Sequence, residues 1–233
     1  MGTLYMAHFN NTDTLYDFQK LIQTVYAIPN DRQYSIWGLL VQQQRFTARA
    51  LKGLRKEDTE KIRVNLLISV SWVASIANRL HFNMDDEVWR CFPGLCSYCG
   101  EQPCACEKFR PEKRKFIRST RASRPNNLSS VQKMFESIYP AGKRTLVDAG
   151  LHLAEEAGEI NEGVHNYMNK HRQKDFVEIK TEMADHVSCV CAVANSAEID
   201  LAKELNEMYH NNCHACHQAP CICKFSGVMS IKT

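Results

Sequence analysis

The chain has 233 residues and a mass of 26.7 kDa, which suits one large domain or two small ones. Hydrophobic residues make up 44% of it and the net charge is +3. The composition therefore excludes a disordered chain, and it excludes a strongly basic nucleic-acid tail as the dominant feature. The longest mostly apolar run, residues 66–77, is too short to cross a bilayer, and residues 1–10 lack the features of a secretory signal. We therefore expect a cytoplasmic protein with no membrane partner.

Helical periodicity runs through most of the chain, without an alternating strand pattern of useful length. Residues 36–54 and 58–80 predict two long helices, and residues 128–139 predict a short amphipathic helix capped by Ser129 or Ser130. Two helical stripes follow, and residues 199–209 predict a last short helix. The stripes consist of Leu153, Ala157, Ile160, Val164 and Tyr167, then Ile179, Met183, Val187, Val190 and Ala194. The predicted fold class is all-α, a bundle with long antiparallel helices.

Eight of the 11 cysteines fall into two clusters with the same spacing, Cys-x-x-Cys-x4-Cys-x-Cys. The clusters are Cys96, Cys99, Cys104 and Cys106, then Cys213, Cys216, Cys221 and Cys223. An odd number of cysteines without a visible signal peptide argues against a disulfide framework and for metal ligation. Four thiolates at these spacings suit tetrahedral Zn²⁺, so we predict two structural knuckles with four cysteine ligands each. An iron–sulfur cluster and a redox switch are the alternatives.

The repeated cysteine spacing indicates an internal duplication, and other residues support it. The matching residues are Gln19, Lys20, Tyr26, Val73, Ala77 and Asn78 in the first copy and Gln132, Lys133, Tyr139, Val190, Ala194 and Asn195 in the second. We predict two tandem helical repeats, residues 1–109 and 128–233, each closed by one cysteine knuckle.

A strongly basic segment joins the two copies, with a linker predicted at residues 110–127. It is interpreted either as a solvated linker or as a strip that attracts the phosphates of a nucleotide or a nucleic acid. Nucleic acid is therefore an open partner, but not the favoured one. The basic residues of this region are Lys108, Arg110, Lys113, Arg114, Lys115, Arg118, Arg121 and Arg124.

Acidic residues border the apolar stripes on both long helices of the second copy. Glu156 and Glu159 share one face of the first helix, and Glu182 and Asp185 share one face of the second, because each pair is three residues apart. Packing the stripes together brings the four carboxylates to one cleft, where they repel one another unless a cation binds. Oxygen ligands select a hard ion, Mg²⁺ or Mn²⁺. The alternative is a pair of solvated helix faces.

This pattern resembles the MazG family of all-α nucleoside triphosphate pyrophosphohydrolases. The similarity covers about residues 128–211 and rests on Leu-Ala-Glu-Glu-Ala-Gly-Glu-Ile-Asn-Glu at 153–162 and Glu-Met-Ala-Asp-His-Val at 182–187. It implies Mg²⁺-dependent attack of water on the α-phosphorus of an NTP or dNTP, giving a monophosphate and pyrophosphate. Members of the family resemble subunits of dimers or higher oligomers whose neighbours complete the bundle. The resemblance is therefore compatible with a homo-oligomer, or with a tandem copy that supplies those helices within one chain.

The resemblance further implies roles for individual residues. Glu156, Glu159, Glu182 and Asp185 are expected to bind the metal. Glu155 and Glu156 are the candidate catalytic groups. Glu155 is expected to act as a further ligand, as a group that supports the ligands, or as the base that takes a proton from water.

Weaker candidates for substrate contact lie elsewhere in the sequence. Lys170, His171 and Arg172 connect the two acidic helices and are candidates for phosphate contact, although a solvated loop is equally compatible. Trp37, Trp72 and Tyr34 in the first copy are candidates for stacking on the base, although each also suits a hydrophobic core.

The first copy lacks the acidic residues. We match Gln43, Gln44 and Thr47 to Glu155, Glu156 and Glu159, and Asn65 and Ile68 to Glu182 and Asp185. The first copy is therefore expected to pack on the second and shape its pocket without binding magnesium. Two other functions stay compatible with the sequence: a nucleotide sensor or pseudoenzyme without turnover, and a zinc-stabilised nucleic-acid-binding module.

Overall fold

The computed structural model describes residues 8–109, 111–115, 117 and 123–223. All regular elements in these residues are helical, which confirms the all-α prediction. The helices are α1 (Leu15–Gln33), α2 (Ile36–Arg55), α3 (Thr59–Arg79), α4 (Met84–Cys91), α5 (Leu128–Ile138), α6 (Leu146–Lys170), α7 (Gln173–Ser196) and α8 (Leu201–Tyr209). Within the described ranges, none of them combines the length and the apolarity needed to cross a membrane.

Side-chain caps fix the starts of most helices. Thr14 caps the N-terminus of α1 and Thr145 caps that of α6, each in a capping box with an aspartate three residues later. Asn127 caps α5 and accepts a hydrogen bond from the backbone N–H of Ser130 at 2.8 Å. The predicted caps Ser129 and Ser130 are therefore wrong, because the helix already begins at Leu128 and the preceding asparagine is an equally good cap.

The two halves of the chain have the same order of helices. In each half the two long helices, α2 with α3 and α6 with α7, pack as a hairpin joined by a short loop, and α2 packs against α6 across the halves. Glycines allow close approach within each hairpin. A Cβ added to Gly53 would lie 2.8 Å from the backbone N of Ile62, and one added to Gly163 would lie 3.2 Å from Cγ1 of Ile179.

Equivalent hydrogen bonds also occur in both halves. Gln19 on α1 donates from Nε2 to Oδ1 of Asn78 at 3.0 Å, and Gln132 on α5 donates to Oδ1 of Asn195 at 2.8 Å. The side-chain oxygen of each glutamine also accepts a hydrogen bond from a backbone N–H. The donor is the first residue of α4 for Gln19 and the first residue of α8 for Gln132. Each half therefore ties its first helix to the end of its second long helix in the same way.

The cysteine knuckles connect the halves crosswise. The backbone N–H of Cys104 donates to the carbonyl of Ile138 at the end of α5, at 2.8 Å. The backbone N–H of Cys221 donates to the carbonyl of Val25 in α1, at 2.7 Å. Each knuckle thus packs on the first helix of the other half, and α4 of the first half packs on α7 of the second. The two halves therefore share one hydrophobic core.

Burial defines how α2 and α6 correspond. The buried positions Leu39, Gln43, Thr47, Ala50 and Gly53 of α2 recur with the same spacing as Ala149, Leu153, Ala157, Ile160 and Gly163 of α6.

This register corrects the matching made from sequence. It aligns Phe46 with Glu156 and Arg49 with Glu159, whereas Gln43 and Thr47 align with apolar core positions of α6. The matching of Gln43, Gln44 and Thr47 to the glutamates is wrong. The spacing of residues alone did not show which face of α2 is buried. On α3 and α7, the matching of Asn65 and Ile68 to the second acidic pair agrees with the burial of both helices.

Candidate metal sites

Three carboxylates from two helices converge between α6 and α7. Glu156 on α6 and Glu182 and Asp185 on α7 each offer an oxygen, and these atoms lie within 4.8 Å of one another. Asp185 is buried, and the other two are half-buried. We call these three residues the triad. The structure therefore brings together three of the four carboxylates that the sequence predicts as magnesium ligands.

The remaining predicted glutamates lie outside the triad. Glu159, one helical turn after Glu156, is exposed and borders Glu182, to which it is close enough to hydrogen-bond. Glu155 is also exposed and is not part of the group. Glu159 can thus join the triad from its solvent side.

The electrostatics of the triad favour a bound cation. Burial, followed by repulsion from the neighbouring carboxylates, raises the pKa of Glu156 to about 8 and the pKa of Glu182 to about 8. The Oε2 atoms of both residues are buried and lack a hydrogen-bond partner among the described residues. A buried acceptor without a partner costs free energy, and a hard divalent ion among these oxygens would remove that cost.

An arginine from the basic segment reaches the triad. The guanidinium of Arg114 binds both oxygens of Asp185, with Nη1 3.1 Å from Oδ1 and Nη2 paired with Oδ2. Arg114 also donates to Oγ of Ser97 at 2.9 Å, and its Cζ lies 4.9 Å from the ring centre of Tyr98. Both contacts belong to the first cysteine knuckle. The knuckle therefore positions a positive charge on the acidic cluster.

The sequence alone does not indicate this role of Arg114. The interpretation of the basic segment as solvated is wrong at Arg114 and Arg124, which are half-buried, and Arg124 pairs with Asp85 at 2.6 Å. Lys115 is exposed and donates from Nζ to the carbonyl of Cys99. Arg110, Arg118 and Arg121 lie outside the described residues. Nothing local distinguishes Arg114 from its basic neighbours, so only its long-range partner reveals its role.

Helix α4 of the first half completes the surroundings of the triad. Lys180 pairs with Glu87 at 2.5 Å, and Arg90 donates to the hydroxyl of Thr181 at 2.9 Å, just before Glu182 on α7. Residues of both halves therefore build the site.

The cysteine clusters have the geometry of four-sulfur metal sites. In the first knuckle, Sγ atoms are separated by 3.4 to 3.9 Å, and in the second the measured pairs are 3.8 Å apart. A tetrahedral ion with Zn–S bonds of about 2.3 Å separates its sulfurs by about 3.8 Å. All of these thiols are free. Both groups could therefore hold zinc.

Hydrogen bonds prepare one sulfur in each knuckle for the thiolate form. Burial raises the pKa of Cys96, but hydrogen bonds from Tyr139 and from backbone N–H groups outweigh it and bring the pKa to about 6. The pKa of Cys216 is likewise lowered to about 6, although burial opposes the shift. Thiolates are the form that binds metal.

The weaker substrate candidates do not lie at the triad. Lys170 ends α6 about 21 Å from Glu156 along the helix, at about 1.5 Å per residue. Arg172 pairs with Asp175 at 2.7 Å, and Trp37 is 43% exposed beside His165, with ring centres 6.0 Å apart. Lys170 and Arg172 therefore lie at the end of the α6–α7 hairpin away from the triad, and substrate contact by these two residues and Trp37 stays a prediction.

Comparisons with known proteins give no relative for this chain. No protein-family model, no curated protein and no solved structure matches it. The functional conclusion therefore depends on the residues themselves.

Proposed function

We propose that the protein is a Mg²⁺-dependent nucleoside triphosphate pyrophosphohydrolase similar to the MazG family. One observation carries the proposal: Glu156, Glu182 and Asp185 converge from two helices, and two of them bury an oxygen without a partner among the described residues. The spacing of these carboxylates along the chain is also the feature on which the resemblance to that family rests.

The triad would hold Mg²⁺, with Glu159 as an additional ligand at its exposed edge. When bound, such an ion neutralises phosphate oxygens and lowers the pKa of a coordinated water. Glu155, which is exposed near the triad on α6, is the candidate base for that water. Arg114 has a planar guanidinium that matches phosphate as well as carboxylate, so it can transfer from Asp185 to the substrate.

The proposal includes a tandem pair of MazG-like repeats of which only the second binds magnesium. The equivalent hydrogen bonds of Gln19 and Gln132 and the shared helix order support the duplication. The first repeat then acts as a built-in partner, since its knuckle holds Arg114 and its α4 packs on α7. Zinc in both knuckles would hold these crosswise contacts together.

Pyrophosphate release tests the proposal. Purified protein is incubated with each NTP and dNTP and Mg²⁺, beside the variants Glu182→Gln and Glu178→Gln. Both substitutions remove one carboxylate from α7, but Glu178 is exposed and outside the triad. We expect Glu182→Gln to lose at least about a hundredfold in rate, whereas Glu178→Gln stays within about twofold. Absence of release from every nucleotide would overturn the proposal.

A second candidate is a nucleotide sensor without turnover. The bond between Arg114 and Asp185 favours it, because an arginine that stays on the triad would replace the ion. Nucleotide binding at the triad without pyrophosphate release would identify this function. A nucleic-acid-binding function is less favoured, since Arg114 and Arg124 are engaged with aspartates of this chain.

A further inference from the structure

A cavity lies in the first half of the molecule, between α1, α2, α3 and the second knuckle. Its volume is about 550 Å³, within the usual range for small-molecule sites. The residues that matter for its chemistry are Tyr26, Arg45, Phe46, Arg49, Trp72 and His214.

This cavity occupies the position in the first half that the triad occupies in the second. The register of α2 and α6 aligns Arg45 with Glu155 and Arg49 with Glu159. Ile68, which lines the cavity, is the counterpart of Asp185. The second knuckle lines this cavity, and the first knuckle contacts Arg114, which pairs with Asp185 of the triad. The two sites are thus equivalent in position but opposite in charge.

The walls of the cavity separate charge from aromatic surface. Arg45 and Arg49 lie on α2, with guanidinium carbons 5.6 and 5.9 Å from the ring centre of Phe46. Trp72 on α3 and Tyr26 on α1 supply aromatic rings on other sides. None of the described residues that line the cavity is acidic. A ligand that fits both features carries an anionic group and an aromatic ring.

The cavity also orients such a ligand. Three cysteines of the second knuckle line it, and with zinc bound the four thiolates of that knuckle carry net negative charge. A phosphate is therefore repelled by the knuckle and attracted to Arg45 and Arg49, while a ring is favoured beside Trp72.

We propose that this cavity binds a nucleotide, with its phosphate on Arg45 and Arg49 and its base against Trp72. The site does not use the triad and needs no divalent ion. The proposal therefore stands apart from hydrolysis: it would survive a failure of the proposed enzymatic activity, and its own failure would leave that activity untouched.

Binding to the full-length zinc-loaded protein without magnesium tests the proposal. The probes are AMP, GMP, CMP and UMP, with adenosine and inorganic phosphate for the two parts of the ligand, measured by calorimetry and by tryptophan fluorescence. We expect at least one nucleotide to bind with a Kd below about 1 mM, and more tightly than phosphate or adenosine. Trp72→Phe should remove most of the fluorescence change while calorimetry still detects binding.

Substitutions locate the ligand. Arg49→Gln and Arg45→Gln should each weaken nucleotide binding at least about tenfold. Arg55→Gln, which removes the same charge from an exposed position of α2 outside the cavity, should leave it unchanged, as should Glu182→Gln at the triad. Circular dichroism and thermal melting establish that each variant is folded.

Four results would overturn the proposal. They are no binding of any nucleotide, equal affinity for nucleotide and inorganic phosphate, equal weakening by Arg55→Gln and Arg49→Gln, and loss of binding in Glu182→Gln. The first two would show that the cavity does not recognise a nucleotide, and the last two that the ligand binds elsewhere.

Discussion

Replacing Arg114 by glutamine tests how the triad is neutralised. In the protein without magnesium, Arg114 supplies the positive charge that faces Asp185, and the side chains of this pair are 28% and 10% exposed. Removing one partner of a buried ion pair costs about 3–5 kcal/mol, because the other charge stays buried and unpaired. Since Arg114 retains some exposure, we expect a loss of about 2–3 kcal/mol in the free energy of unfolding.

Magnesium should reverse most of this loss. An ion in the triad replaces the charge of Arg114, so at saturating Mg²⁺ the cost should fall below about 1 kcal/mol. By the same linkage, Arg114→Gln should bind Mg²⁺ about tenfold more tightly than the unsubstituted protein, since the arginine no longer competes for Asp185. Urea unfolding followed by circular dichroism, with and without Mg²⁺, gives the stability, and calorimetry gives the affinity.

Arg124→Gln is a matched control for this experiment. Arg124 pairs with Asp85 at 2.6 Å, and the side chains are 25% and 11% exposed, almost the same as in the first pair. We expect a similar loss of stability, but one that Mg²⁺ does not change. If Arg114→Gln is destabilised equally with and without Mg²⁺, or if Mg²⁺ rescues both variants alike, the reasoning about the triad is refuted.

Three further predictions concern pH, helix packing and zinc. Burial and mutual repulsion raise the pKa of Glu156 and the pKa of Glu182 to about 8, so the stabilising protonated forms are lost as pH rises. Without Mg²⁺ the urea midpoint should therefore be lower at about pH 8.5 than at about pH 6, and Mg²⁺ should stabilise more at the higher pH; a flat profile would contradict this. Gly53→Ala should destabilise by about 1–3 kcal/mol because its Cβ would meet backbone at 2.8 Å, whereas Gly158→Ala, with nothing within 4 Å, should stabilise by about 0.5–1 kcal/mol in thermal melts. Elemental analysis should find about two zinc atoms per chain and no iron, and chelating them should lower the melting temperature by disrupting both crosswise contacts.

The sequence by itself determined the features that depend on short spacings. Apolar residues three or four apart predicted the long helices, and the structure has α2 and α3 within one residue of the predicted ends. The cysteine spacings predicted two four-sulfur groups, and both are present. Carboxylates one turn apart share a helix face wherever the helix packs, so Glu182 and Asp185 could be paired in advance.

Only the tertiary structure decided what meets across the molecule. The pairing of Arg114 with Asp185, the crosswise packing of the knuckles and the register of α2 against α6 join residues that are distant in the chain. Periodicity reports which face of a helix is apolar, but not which turn packs against a given neighbour. Because the sequence does not report that register, Gln43 was matched to a glutamate. For the same reason the sequence did not show that an arginine, Arg49, stands at the position of Glu159. The packing of side chains in the core determines the register and leaves no local signal in the sequence.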